Sequence, residues 1–170
     1  SLACRPFDLH RNGFVMGEGA AMLVLENIKH ARRRGARIYA EALGGRLLTD
    51  ARHMTNLDDD TEAIVELIHG AMHVAGVTPR DVAYINAHGT GTRQNDRLES
   101  RGIRRAFGRS ADSVCVSSNK SMLGHLVNAS GSVELAITAL ALRDGFAPPT
   151  LNLTTQDPEC DLDCIPLVGR

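Results

Sequence analysis

Two short apolar runs, residues 82–87 and 114–117, each lead directly into a polar turn, and a helix-patterned stretch at 95–107 lies between them. Strand, helix, strand with short turns is the unit of a parallel sheet, because parallel neighbours need a long crossover. The alternation extends upstream. Residues 21–26 and 38–43 read as further buried strands, on either side of a helix at 28–34 that Gly35 ends. After a loop at 44–58, Asp59 and Glu62 have the spacing of a capping box, and Ile64, Leu67, Ile68, Ala71, Met72 and Ala75 recur every three or four residues before Gly76 and Pro79. Residues 121–144 are apolar on nearly every side, which predicts a helix buried between layers. Gly124, Ala129, Ser130, Gly131 and Ser132 let other backbone approach it, and Gly145, Pro148 and Pro149 stop it. The expectation is one α/β layered unit without an internal domain boundary.

Composition narrows the function classes. In 170 residues, 43% hydrophobic and 23% charged, there is material for one core or for one repeat of a two-repeat fold. A formal charge of −1 gives no electrostatic footprint for nucleic acid, and the basic cluster Arg32-Arg33-Arg34 reads as a solvated helix end. No apolar run reaches the roughly 18 residues of a membrane span, and the start carries neither a signal pattern nor an initiator methionine, so the chain reads as cytoplasmic and truncated.

Cys4, Cys115, Cys160 and Cys164 are too few and too irregular for a disulfide scaffold. Cys160 and Cys164 lack the second ligand pair of a zinc site, and Leu162 stands where the acidic run Asp157, Glu159, Asp161, Asp163 would need the glycine of a calcium loop. No metal is expected.

The two turns carry the chemistry. His88 opens His88-Gly-Thr90-Gly-Thr92 after the first strand, and Ser117-Ser-Asn-Lys120-Ser-Met-Leu-Gly-His125 follows the second. The first turn lacks both the Gly-Lys-Ser/Thr of a phosphate loop and a complete dinucleotide fingerprint, so it is not read as a nucleotide site. Both histidines stand just past strand ends, where α/β folds build sites, and Thr90 and Thr92 offer hydroxyls to an amide-bearing substrate arm. His10, His30, His53, His69 and His73 are read as structural. Lys120 is one of two lysines beside 17 arginines, which points to a need for a compact ammonium, and Glu134 in the apolar helix is its expected partner. Asp96 and Glu99 have the spacing of a helix N-terminal cap and also lie close in sequence to the histidine loop, so both roles are open to them.

The chain closely resembles the C-terminal part of a β-ketoacyl-acyl-carrier-protein synthase, the elongating condensing enzyme of fatty-acid and type II polyketide synthesis. The resemblance rests on Arg5-Pro-Phe-Asp8, Arg11-Asn-Gly-Phe-Val-Met-Gly-Glu-Gly19, Asp50-Ala-Arg-His-Met-Thr55, the two histidine motifs, Pro148-Pro-Thr-Leu-Asn-Leu153 and Asp157-Pro-Glu-Cys-Asp-Leu-Asp163. Gln94-Asn-Asp96 leans toward the polyketide type. The resemblance implies a thiolase-like layered fold of two related halves, with residues 1–170 as the C-terminal synthase domain and 1–26 as the end of the preceding half. It implies decarboxylative Claisen condensation of an acyl thioester with malonyl-acyl-carrier-protein. In that reaction His88 and His125 donate to the thioester oxygen, Lys120 and Glu134 order the site, Asp96 and Glu99 support it, and Thr90 and Thr92 contact phosphopantetheine. No dissociable cofactor is implied. The implied partners are acyl carrier protein and a second subunit, as a homodimer or a synthase/chain-length-factor heterodimer.

The resemblance also sets limits. The family's nucleophilic cysteine and its acyl-pocket loop match nothing in the chain; Cys4 is not that nucleophile, and the isolated chain is expected to be inactive. Asn119, Leu123, Asn128 and Ser130 stand where housekeeping synthases more often have threonine, threonine, glycine and alanine. A non-catalytic chain-length-factor-like partner and a carrier-protein-binding subunit are the alternative readings. A thiolase is disfavoured because its second catalytic residue is usually a cysteine where His125 stands.

Overall fold

In the computed structural model, which describes residues 3–49, 51, 53 and 57–170, two parallel strands frame the region of interest. Strand β1 (Tyr84–Asn86) pairs with β2 (Cys115–Ser117), with Tyr84 opposite Cys115, Ile85 opposite Val116 and Asn86 opposite Ser117. Side chains alternate across a sheet, so each face collects one parity. One face turns Ile85, Ala87, Val114 and Val116 into the core, against Met72 of α2 (Glu62–Ala75) and Ile103, Ala106 and Phe107 of α3 (Arg93–Phe107). Phe7, Leu153, Cys160, Leu162 and Cys164 complete that core from the two ends of the chain. The other face is polar: the Tyr84 hydroxyl lies 2.8 Å from Ser117 Oγ, and Asn86 reaches α5 (Ser130–Asp144).

The segments at the two ends of the chain are stapled beneath the sheet by buried charge. Asp8, fully buried, accepts from the N–H groups of His10, Thr154 and Thr155 and from the Thr154 hydroxyl. Burial alone would raise its pKa; these hydrogen bonds outweigh burial and lower it. Arg11, also fully buried, donates to the carbonyls of Asp8, Thr92 and Arg93 and pairs with Asp157 at 2.5 Å. A guanidinium with five fixed donors meets these four acceptors at once, one more than the three donors of an ammonium could.

The expected helices at 28–34, in the 60s and 70s and at 95–107 are present as α1 (Ile28–Arg33), α2 and α3. Helix α3 begins earlier than expected because the Thr92 side chain accepts from Asn95 N and caps it. The box expected between Asp59 and Glu62 does not start α2. Thr61 occupies the N-cap with φ of 61° and no side-chain capping bond, and Asp60 Oδ1 accepts from Glu62 N at 2.9 Å instead.

Two expectations need larger correction. Residues 21–26 and 38–43 form no strand, and Met22, Val24 and Leu25 are exposed. A strand exists through its ladder, and no neighbour pairs with these segments among the described residues. The single helix expected over 121–144 is two, α4 (Lys120–Leu123) and α5, with the His125 loop between them. Gly124, with φ of 74° and Val15 O close by, ends α4 and turns the chain out. Helix α5 is apolar in composition but not buried in this chain: Ser130 is its buried residue, whereas Leu135, Leu140 and Leu142 are exposed. Asp50, Arg52, Met54 and Thr55 of the motif at 50–55 lie outside the described residues.

Candidate active site

His88 leaves the end of β1 on a loop that two carboxylates grip by its main chain. Glu99, on α3, accepts from His88 N at 2.6 Å through Oε1 and from Gly89 N at 2.8 Å through Oε2. Asp96, one turn earlier and fully buried, accepts from Gly91 N at 3.1 Å and Phe7 N at 2.9 Å. Of the two roles open to these residues, loop support is the one the structure shows; Thr92 does the capping. Burial raises the pKa of both carboxyls despite these bonds. Across the loop, Ser118 Oγ donates to Gly89 O at 2.7 Å.

Lys120 is nine-tenths and more buried, at 1% exposure, directly beneath His88. Its Nζ donates to Glu134 Oε1 at 2.6 Å and to His88 O at 2.7 Å. A buried ammonium requires a counter-charge and acceptors, and the expected partner supplies the charge. The ammonium therefore ties β1, the segment after β2 and α5 to one point.

His125 enters from the loop between α4 and α5. Its N–H donates to Val15 O at 2.7 Å, and its carbonyl accepts from Gly17 N at 3.0 Å, which fixes the loop against the segment after Arg11. The Val127 N–H donates to His125 Nδ1 at 3.0 Å, and Ser130 Oγ lies 3.2 Å from the same nitrogen. A main-chain N–H can only donate, so Nδ1 is the acceptor and the neutral ring carries its proton on Nε2. Val127 reaches this position at φ of 52°, a costly conformation for a β-branched residue and one that marks the loop as constrained.

The two imidazoles meet edge to face, with centroids 5.5 Å apart and planes at 88°, and Phe14 packs edge-on against His125 at 5.4 Å. Although the His88 ring meets solvent on one side, its crowded surroundings, then Lys120, then His125, lower its pKa to about 4. Burial and Lys120 lower that of His125 as well, against the opposing pull of Glu134. Both rings are thereby kept neutral near pH 7, as hydrogen-bond donors rather than cations. Thr90 and Thr92 follow His88 along its loop, with hydroxyl oxygens 2.9 Å apart.

The structure brings His88, Lys120, His125 and Glu134, all singled out from the sequence, together in space. Sequence reasoning missed Ser118, Ser130 and the Val127 N–H, whose contributions depend on hydroxyl and main-chain placement that residue spacing does not display. The four cysteines are free. Burial raises the thiol pKa of Cys4, and that of Cys160 to about 11, as in unreactive thiols. His69 Nε2 lies 2.9 Å from Ala106 O, a packing role. Among the described residues no helix is long and apolar enough to cross a membrane, and no group of three or more metal-ligating side chains is gathered.

Comparison with known proteins gives one answer from three directions. The family profile described as "Beta-ketoacyl synthase, C-terminal domain" matches residues 39–154, and "Beta-ketoacyl synthase, N-terminal domain" matches residues 2–31. The chain is 52% identical over 168 residues to the tetracenomycin polyketide synthase ketoacyl synthase alpha subunit of Streptomyces glaucescens, covering 99% of this chain and 39% of the relative. To 3-oxoacyl-[acyl-carrier-protein] synthase 2 of Coxiella burnetii it is 48% identical over 168 residues, covering 99% of this chain and 41% of the relative. Among solved structures, a type II PKS acyl-carrier protein in complex with its ketosynthase bound to the hexaketide superposes with a TM-score of 0.97 at 43% identity, covering 99% of this chain and 41% of that one. The ishigamide ketosynthase/chain length factor superposes with a TM-score of 0.94 at 42% identity, again over 99% of this chain and 41% of that one. The chain thus spans about two fifths of the length of the relatives it matches. The fold is α/β and thiolase-like, this chain being the C-terminal half of the two-repeat architecture. By profile, by identity and by fold, the chain belongs to the beta-ketoacyl synthase family.

Proposed function

We propose that this chain carries the decarboxylation and condensation half of a β-ketoacyl-acyl-carrier-protein synthase site, in a parent whose nucleophilic cysteine lies outside these 170 residues. The observation that carries this reading is the pair of imidazoles meeting edge to face, with the Lys120–Glu134 ion pair gripping the His88 main chain. The thioester oxygen of a malonyl group placed against both rings accepts their N–H bonds. As the carbon–carboxylate bond breaks and carbon dioxide leaves, charge accumulates on that oxygen. Donors already aimed at the developing oxyanion are worth roughly 100 to 1,000-fold each in rate. The enolate carbon then attacks the acyl thioester held on the cysteine, forming the new carbon–carbon bond and expelling the thiolate.

In this reading His125 donates from Nε2, its proton held there by the Val127 N–H, and His88 acts beside it. Lys120 and Glu134 hold the His88 main chain, Asp96 and Glu99 hold the loop, and Thr90 and Thr92 bind the phosphopantetheine arm of a carrier protein. Residues 1–26 close the preceding half, no dissociable cofactor takes part, and the parent works in the cytoplasm as a homodimer or with a chain-length-factor subunit. The intact histidine pair favours the catalytic subunit over the non-catalytic partner.

The test is product formation by the full-length parent. Given acyl- and malonyl-carrier protein, it yields a carrier-bound β-ketoacyl thioester and carbon dioxide in equal amounts, while the 170-residue chain alone yields neither. A parent that binds both substrates and forms no ketoacyl product contradicts the assignment.

A further inference from the structure

We propose that Asn86 is a positioning residue for the Lys120–Glu134 pair, acting through its carboxamide on the turn of α5 that carries Glu134; this rests on the condensing-site reading above. Asn86 ends β1 two residues before His88. Its Nδ2 donates to Glu134 O at 3.3 Å and to Thr138 Oγ1 at 3.2 Å. The Thr138 hydroxyl in turn donates to Glu134 O at 2.8 Å, so the three groups close a ring around that carbonyl. The amide orientation follows from chemistry, since a carbonyl oxygen only accepts and the nitrogen must face it.

Two features set this contact apart from packing. Asn86 Oδ1 is buried without a hydrogen-bond partner, a cost that a residue filling space would avoid by being apolar. Glu134 is also held from two sides. Lys120 grips Glu134 by its carboxylate, and Asn86 grips the same residue by its main chain. Both grips converge on the His88 loop, one through Nζ on the His88 carbonyl and one through the strand itself. Without Asn86 the Glu134 turn is free to shift, and Lys120 loses the fixed counter-charge that aims it at His88.

The experiment is a double-mutant cycle on decarboxylation of malonyl-carrier protein by the full-length parent, with Asn86→Ala, Glu134→Gln and the pair. Asn86→Ala is expected to lower kcat about 10 to 100-fold with KM changed by less than about threefold. In the Glu134→Gln background it is expected to lower kcat by less than about threefold, because a residue that acts through a partner adds little once the partner is gone. Asn86→Asp, which lacks the donor, behaves as Asn86→Ala. Should Asn86→Ala fail to fold by circular dichroism, Thr138→Val takes its place in the same cycle, with a smaller loss that is again absent beside Glu134→Gln. Unchanged kcat, or losses that multiply fully with that of Glu134→Gln, overturn the proposal. A wild-type parent that does not decarboxylate overturns the condensing-site reading, and this inference with it.

Discussion

The rings of His88 and His125 stand edge to face, 5.5 Å between centroids, although α3, β2 and α4 separate the two residues in the chain. Each is delivered by a loop that residues from other segments help to hold. The His88 loop depends on Glu99, Asp96 and Lys120, and the His125 loop on Val15, Gly17 and Ser130. The site is therefore a meeting of supports from several segments, and its failures are predictable one support at a time.

The protonation state of His88 is the first. Unfolded, it takes up a proton near 6.5; folded, burial followed by the charge of Lys120 lowers that to about 4. The unfolded chain binds more protons between those values, so this contribution to stability is complete above about 6.5 and is lost as pH falls toward about 4. An NMR titration of the His88 Cε1 proton is expected to show no inflection between about pH 5.5 and about pH 8, and Lys120→Met is expected to move the midpoint upward. An inflection near the ordinary histidine value in the wild type contradicts the placement of His88 beside a buried ammonium.

Glu99 uses both oxygens on consecutive N–H groups, and Gln has one acceptor where two are needed. Glu99→Gln is expected to speed hydrogen exchange at the His88 and Gly89 amides and to lower kcat about 10 to 100-fold, since small displacements of a catalytic group are amplified in rate. Unaltered exchange at those two amides would show that the carboxylate is dispensable to the loop.

Gly89 adopts φ of 39°, and a Cβ there would lie 2.5 Å from Ser118 Cβ and 3.1 Å from Phe7 Cζ. Ser118 sits on the segment leaving β2 and Phe7 is fully buried, so neither has room to retreat. Gly89→Ala is expected to destabilise the fold by about 1 to 3 kcal/mol through overpacking. Urea denaturation measures this directly, and an unchanged midpoint would mean that the loop is looser than these contacts describe.

Much of this arrangement is legible in the residues because it is local. A glycine-flanked histidine after an apolar run shows a loop at a strand end, and a lysine in an arginine-rich chain shows a site that needs an ammonium. What was not legible is what depends on partners distant in sequence. The runs at 21–26 and 38–43 have the composition of strands, yet a ladder needs a neighbour that composition does not supply. Residues 121–144 read as one continuous helix because their apolar residues run on; Gly124 at positive φ decides otherwise, and the contact of His125 with Val15 holds the turn there. Asp96 and Glu99 carried two readings because spacing within a helix says nothing about which loop lies over it.

The central claim is that the two histidines stabilise a developing oxyanion, and decarboxylation of malonyl-carrier protein by the full-length parent isolates that step from the acyl chain. Wild type is predicted to release carbon dioxide, with His88→Ala and His125→Ala each slower by about 100-fold or more. An inert wild type, or alanine variants that match its rate, would contradict the account and leave the pair as a structural contact.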